Sequence, residues 1–342
     1  MKKFLLKENC NWYRANLHCH SVLSDGQMTP EELKAAYKKE GYSILAISDH
    51  EILADHSDLD DEEFLTLTAV EYSVGEMTPK YPALVPKGKE GDWQYSKTMH
   101  FNLFAKDQHN TFQPATDVNC LWGGASNKYA ASLKCDNFKR EYTIKSINEL
   151  IKRSNDAGFL VQYNHPYWSL NTRDEYLNLK GLWSLEILNY GTELETGVEE
   201  ASYVYDDMLR SGMMLYCSMG DDNHNPGKSL VQSFGGSTMI GADELKYDKI
   251  IKAMEEGNFY CTAGPRIHAL YVEDGKVKID CSEASAVYIN EIGRTFRPWI
   301  GENITHAEFD LCPENVFFRI TVRDKYGRNA HTNAYYIKDL ID

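Results

Sequence analysis

The chain repeatedly builds a short apolar run and then breaks it with a histidine, an aspartate or a glutamate. Residues 13–17 lead into His18, Cys19 and His20, residues 43–48 into Asp49 and His50, and residues 65–70 into Glu71. Residues 159–163 lead into Asn164, His165 and Pro166, and residues 213–219 into Gly220, Asp221, Asp222, Asn223 and His224, while His100 precedes a run at 101–105. Near-continuous apolar runs of this length suit parallel strands buried on both faces. Helical patterns lie between them. Thr29 as N-cap, Pro30 at the first helical position, Glu32 at the capping-box position and Gly41 as a stop punctuate one helix. Ser146 with Glu149 predicts a second capping box, ahead of Ile147, Leu150 and Ile151 and closing at Gly158. A further strand is expected at 182–188 and helices at 198–211 and 242–256. Seven or so such alternations predict a parallel α/β, TIM-like barrel over residues 1–264 rather than an open sheet.

The texture changes near Gly264 and Pro265. Short alternating runs at 268–272, 277–280, 286–289 and 316–322, with turns at Asp274-Gly275 and Tyr326-Gly327, predict a small all-β, sandwich-like domain over residues 265–342. Two loop-rich stretches, 73–99 and 107–142, interrupt the first domain and suit site-covering or partner-binding loops.

Charge and cysteine usage narrow the function classes. With 36 Lys+Arg against 51 Asp+Glu the formal charge is -15, which repels nucleic acid and anionic membranes and leaves no basic footprint. The apolar run after the basic start breaks at Lys7, before a signal-peptide core forms, and no stretch is long and apolar enough to span a bilayer. Eight cysteines scattered without CxxC pairs indicate neither a thiolate zinc knuckle nor a dense disulfide scaffold, so the expected compartment is the cytoplasm.

The polar residues that end the runs carry the chemistry. In an extended chain side chains alternate, so His18 and His20 face the same way, as do Asp222 and His224, and each pair can grip one cation. Cys19 then faces the other side as a packed thiol. His18, His20, Asp25, His50, Glu71, His100, His165, Asp222 and His224 together give six imidazoles and three carboxylates. Converging on one rim of a barrel, they are the donor set of a multinuclear site with nitrogen and oxygen ligands. His56, His109, His268, His306 and His331 fall off the pattern and are left outside it.

The ordered set HxH with SDG, an apolar strand with DH, a strand-end Glu, a later His, NHP and a closing DxH resembles the PHP (polymerase and histidinol phosphatase) family of metal-dependent phosphoesterases over residues 13–264. The resemblance implies a distorted (β/α)7 barrel and two to three divalent metal ions: zinc, manganese or iron. It implies that His18, His20, Glu71 and Asp222 hold a first metal, that Glu71 bridges to a second held with His100 and His165, and that Asp25, His50 and His224 hold a third. Three divalent ions against three carboxylates leave the pocket about three charges positive, so the expected partner is a small anionic phosphorylated substrate. A metal-bridging hydroxide would then hydrolyse a phosphomonoester without a nucleophilic Ser or Cys.

Arg173, Lys228 and Arg266 are the weaker candidates for clamping a substrate anion. Tyr163, Tyr167 and Trp168 flank His165 and offer either ring stacking on a base or sugar or plain packing, and Asp221 is expected to hydrogen-bond a ligand histidine. Two other readings stay open: a phosphodiesterase or exonuclease acting on nucleotides or oligonucleotide ends, and a non-catalytic binding module stabilised by its metals.

Overall fold

The computed structural model describes residues 2–76, 85–89, 92–117, 120, 134–294 and 297–340. Much of the loop-rich sequence at 73–99 and 107–142 therefore lies outside the described residues. The strands run β1 Lys3–Phe4, β2 Asn11–Asn16, β3 Ile44–Ile47, β4 Leu65–Gly75, β5 Thr98–Ala105, β6 Phe112–Thr116, β7 Lys134–Asn137, β8 Phe159–Tyr163 and β9 Ser184–Asn189. They continue as β10 Tyr216–Gly220, β11 Ser237–Ala242, β12 Phe259–Thr262, β13 Ile267–Glu273, β14 Lys276–Glu291, β15 Trp299–Asp310, β16 Phe317–Arg323, β17 Asn329–Thr332 and β18 Tyr335–Tyr336. The longer helices are α1 Pro30–Lys39, α2 Ile144–Asp156, α3 Tyr190–Thr196, α4 Ser202–Arg210 and α5 Tyr247–Glu255.

The result is a mixed α/β protein built on one large sheet, in the order β1-β13-β14-β16-β17-β12-β11-β2-β3-β4-β5-β8-β9-β10. β2, β3 and β4 are parallel neighbours, as are β8, β9 and β10. β5 departs from the expected all-parallel order, because it runs antiparallel to both β4 and β8. Past β2 the extended chain meets the end of β10: Asp222 N–H donates to His18 O (2.9 Å), His20 N–H donates to Asn223 O (3.2 Å), and Cys19 and Asn223 form an isolated parallel bridge. A single bridge, and no ladder, joins the two there.

Helix punctuation holds in part. Thr29 Oγ1 accepts from Glu32 N–H, Glu32 accepts from Thr29 N–H, Leu33 and Tyr37 are buried, and Gly41 takes the left-handed conformation that ends the turn. The predicted cap at Ser146 is corrected to Thr143, whose hydroxyl accepts from Ser146 N–H, while Ser146 Oγ accepts from Glu141 N–H. The helix expected at 198–211 is α4, which begins only at Ser202, and it is preceded by a separate helix not expected from the sequence, α3, which ends where Gly197 turns left-handed. The helix expected from residue 242 begins at Tyr247, because residues 237–242 pair as β11 with β2 and β12.

The C-terminal strands extend the same sheet through β12–β17 pairing. The Asp274-Gly275 turn joins β13 to β14, both turn residues at positive φ as a tight hairpin requires. The two short strands expected at 277–280 and 286–289 are one 16-residue strand, β14, whose register shifts between Asp280 and Ala284 as its partner changes from β13 to β16. At the other end of the chain, β1 pairs with β13 and Leu6 packs among Leu270, Ile279, Val287 and Ile320. Phe317 and Ala334 reach instead into the main core with Tyr205. No described helix is long and apolar enough to cross a membrane.

Candidate metal centre

All nine sequence-selected residues converge, and Glu71 is the hub. Its buried carboxylate has five imidazole nitrogens around it: His18 Nε2, His20 Nε2 and His165 Nε2 each at 3.3 Å, and His50 Nδ1 and His100 Nδ1 each at 3.2 Å. Asp222 Oδ1 lies 2.8 Å from His20 Nε2 and 3.2 Å from His18 Nε2. On the outer side, Asp25 sits 3.6 Å from His20 Nδ1, 3.7 Å from His50 Nε2 and 3.3 Å from His224 Nε2. Three donor groups with atoms mutually within 4.8 Å result: His18, His20, Glu71 and Asp222; His50, Glu71 and His100; and His20, Asp25, His50 and His224. His165 stands against Glu71 beside the second group. Only Asp25 and His224 open to solvent, their side chains 34% and 31% exposed.

Two local expectations are corrected. Glu71 lies inside the 11-residue β4 and not at its end, and His100 lies near the start of β5. The reversed direction of β5 explains the second: the N-terminal end of an antiparallel strand shares a rim with the C-terminal ends of its parallel neighbours, and His100 faces Ser73 across the β4–β5 pair.

The donor atoms suit cations better than one another. His18 Nε2 and His20 Nε2 face each other at 3.3 Å. The buried atoms His20 Nδ1, Glu71 Oε2 and Asp222 Oδ1 make no hydrogen bond of acceptable geometry, although polar atoms of the cluster surround them. Burial opposes protonation of His18, yet Asp222, Glu71 and Glu186 outweigh it and hold the imidazole well above its ordinary pKa; His20 is pushed to about 10 against the same burial cost by Asp222 and Glu71. Against burial, the imidazoles hold Glu71 and Asp222 well below the ordinary carboxylate range. Burial pushes His50 down to about 3, which keeps its imidazole neutral. Carboxylates ionised beside imidazoles that attract positive charge describe a cradle for divalent cations.

Backbone strain sits at the same place. Asp222 has φ 50° and His165 φ 24°, conformations costly for residues with a Cβ and characteristic of functional sites. Gly26 lets the Asp25 loop close, because a Cβ there would lie 2.3 Å from His20 O. Asp49 anchors that loop by accepting from Ser21 and Ser24 through backbone N–H and hydroxyl alike.

Several supporting residues escaped sequence reasoning. Glu186 Oε1 accepts from His18 Nδ1, Asn164 Nδ2 donates to Glu71 Oε1 (2.8 Å), Ser169 Oγ lies 3.0 Å from His165 Nδ1, and Asn189 Nδ2 donates to Glu186 Oε2 and to Asp222 Oδ2. A lone acid in the apolar 182–188 run was the available signal for Glu186. The histidine-supporting role expected of Asp221 belongs to Glu186. Asp221 accepts instead from Tyr37 OH and from the backbone N–H groups of Phe234, Gly235 and Gly236, and burial raises its pKa to about 6. Cys19 is buried among Met28, Leu33, Tyr37 and Ile47, on the face away from the imidazoles.

The three cationic candidates make other contacts. Arg173 makes a two-point ion pair with Asp207, Lys228 pairs with Glu32 at the start of α1, and Arg266 is exposed, its backbone N–H donating to Ser282 Oγ. Trp168 does stand at the site, its indole edge-on to His165 (5.1 Å between centroids) and tilted against His100 (5.8 Å). Tyr163 is buried in the core, and Tyr167 is exposed.

No family model and no curated protein matches the chain. Among solved structures, it is similar to a two-domain protein from Bacteroides vulgatus containing a predicted PHP-like metal-dependent phosphoesterase, at 11% identity over 94% of each chain with a TM-score of 0.44. It is also similar to an amidohydrolase from Chromobacterium violaceum solved with bound sulfate and no metal, at 17% identity over 72% of this chain and 96% of that one, with a TM-score of 0.43.

Proposed function

We propose that the protein is a metal-dependent phosphoesterase of the PHP type that releases inorganic phosphate from a small phosphorylated metabolite. The observation that carries this reading is the Glu71 carboxylate, buried and faced by five imidazoles, with Asp222 and Asp25 completing three adjacent donor groups. The reading assigns two to three divalent ions, zinc, manganese or iron, to those groups. Bound there, such ions supply Lewis acidity toward a phosphoryl oxygen and lower the pKa of water. Glu71 and Asp222 orient the inner ligands, Glu186 and Ser169 fix the ring orientations of His18 and His165, and Asp25 with His224 forms the open corner through which an anion enters. In the same reading β2, β3, β4, β5, β8, β9 and β10 form a distorted barrel closed at Cys19–Asn223, and the C-terminal strands form an appended β domain. Eight free cysteines support a reducing, cytoplasmic setting.

The test is phosphate release from a panel of nucleotides, sugar phosphates and histidinol phosphate, with protein loaded with manganese, iron or zinc and His165→Ala as control. Metal-dependent release that disappears in the variant is expected. Silence across the panel from metal-loaded protein would sink the reading, and faster cleavage of diesters would move it to a phosphodiesterase.

A further inference from the structure

The loop-rich stretch at 107–142 sends one arginine to a buried carboxylate next to a metal donor. Glu51 follows His50 directly, is fully buried and has φ 62°, a left-handed conformation costly for a residue with a Cβ. Its backbone is held twice: Glu51 N–H donates to Glu71 O (2.9 Å), and Gln113 Nε2 on β6 donates to Glu51 O (3.0 Å). Its side chain is held by Arg140, which follows β7. Arg140 Nη1 donates to Glu51 Oε1 (2.7 Å) and to Ser73 O (3.0 Å), and Nε donates to Ala115 O (2.9 Å). The guanidinium lies over the Tyr72 ring, 4.0 Å from its centroid, and Ser73 N–H donates to the same Glu51 oxygen (3.0 Å). Glu51 belongs to none of the three donor groups, yet the pair grips the chain beside every member of one of them. His50 precedes Glu51, Glu71 lies two residues before Ser73, and His100 faces Ser73 across the β4–β5 pair. Desolvation offsets most of the attraction between two buried charges, but neither can move without stranding the other.

Resting on the assignment of divalent ions in that reading, we infer that Arg140 and Glu51 are a positioning pair for the His50, Glu71 and His100 donor group. The pair clamps the strained residue after His50 against β4 and so sets the 3.2 Å approach of His50 Nδ1 to Glu71 Oε2. His50 also belongs to the group with His20, Asp25 and His224, whereas the group of His18, His20, Glu71 and Asp222 does without it. Loosening the clamp therefore weakens two cation positions more than the remaining one.

The test reads ion binding rather than turnover. Zinc affinity is measured by competition against a chromophoric chelator, and zinc per chain by elemental analysis after dialysis, for wild type, Arg140→Lys and Arg140→Met combined with Glu51→Gln. The double variant removes both charges together, so neither is stranded. Arg140→Lys keeps the charge but cannot span Glu51, Ser73 and Ala115 at once, and it gives the answer if the double variant fails to fold. The double variant should bind the weaker ions about tenfold or more less tightly, with retained zinc falling towards one per chain, and Arg140→Lys should lie between it and wild type. A pair that only stabilises the fold would lower the melting temperature of chelated protein and leave the zinc affinity of both folded variants unchanged, which would overturn the inference. Phosphate release together with unchanged zinc affinity would remove the inference and leave the phosphoesterase reading. Zinc binding that depends on the pair, without phosphate release, would do the reverse.

Discussion

Glu186 Oε1 lies 3.0 Å from His18 Nδ1, and both side chains are fully buried. With its second oxygen accepting from Asn189 Nδ2, the Glu186 carboxylate accepts from His18 Nδ1, so that once a cation displaces the ring's other proton, Nε2 presents its lone pair towards Glu71 and Asp222. Glu186→Gln replaces one acceptor with a donor and sets it against Asn189 or His18. Metal affinity should fall about tenfold or more, as for other carboxylate–histidine supports, with the fold unchanged. Competition against a chromophoric chelator measures it, and an unaltered affinity would refute the role.

Removing metal should make stability depend on pH in a defined direction. His18 and His20 have folded pKa values raised above the ordinary imidazole value, His20 to about 10. Their contribution is fully present below about 6.5 and is lost as pH rises through the folded values. Chelated protein should therefore lose melting temperature steadily from about pH 6.5 towards pH 10. Metal-loaded protein should lose less, because cations replace those protons, and it should melt several degrees higher throughout; at about 100 times Kd bound ions contribute about 2.7 kcal/mol. Calorimetric scans with and without chelator decide the matter, and parallel pH profiles would count against cation binding at these imidazoles.

Gly26→Ala should act on one part of the site. The added Cβ would meet the His20 backbone, so the Asp25 loop must shift against a ligand that two of the donor groups share, while the His50, Glu71 and His100 group is not touched directly. Bound metal per chain, measured by elemental analysis after dialysis, should drop without a loss of secondary structure. An unchanged metal content would show that Asp25 is dispensable.

How much of this was legible in the sequence depended on the kind of signal. The α1 boundary was readable because Thr29, Pro30 and Glu32 act within one turn. His18 and His20 were readable because alternation in an extended chain is local. The direction of β5 was not: an apolar run has the same pattern read either way, and only pairing with β4 and β8 fixes it. Continuity of β14 through Cys281–Ser285 was hidden for a related reason, since a register shift lets polar residues sit in a strand that changes partners. Arg173 and Lys228 follow metal-ligand motifs in sequence, yet Asp207 and Glu32, distant in the chain, draw their charges away.

A buried ion pair ties the C-terminal strands to α4. Arg319 on β16 makes a two-point contact with Asp206, and its remaining nitrogen reaches Thr321 and His331. Arg319→Met should lower unfolding free energy by about 3–5 kcal/mol, because Asp206 is left as an uncompensated charge. Arg319→Met combined with Asp206→Leu should recover much of the loss. Urea unfolding of the two variants measures the difference, and equal midpoints would mean the pair is not what couples the regions.

The β12–β17 ladder limits how this protein can be divided. Tyr260, Cys261 and Thr262 pair with Thr332, His331 and Ala330, and Asn333 closes the join through Gly257 O, Phe259 O and Cys217 N–H. Cutting the chain after residue 264 would strip β12 of one of its two neighbours, leaving β11 on one side and a row of unpaired amides on the other, a template for association with another copy. The part of the chain that carries the candidate metal centre is therefore not portable on its own. What keeps that edge covered is a segment that contributes none of the nine converging side chains.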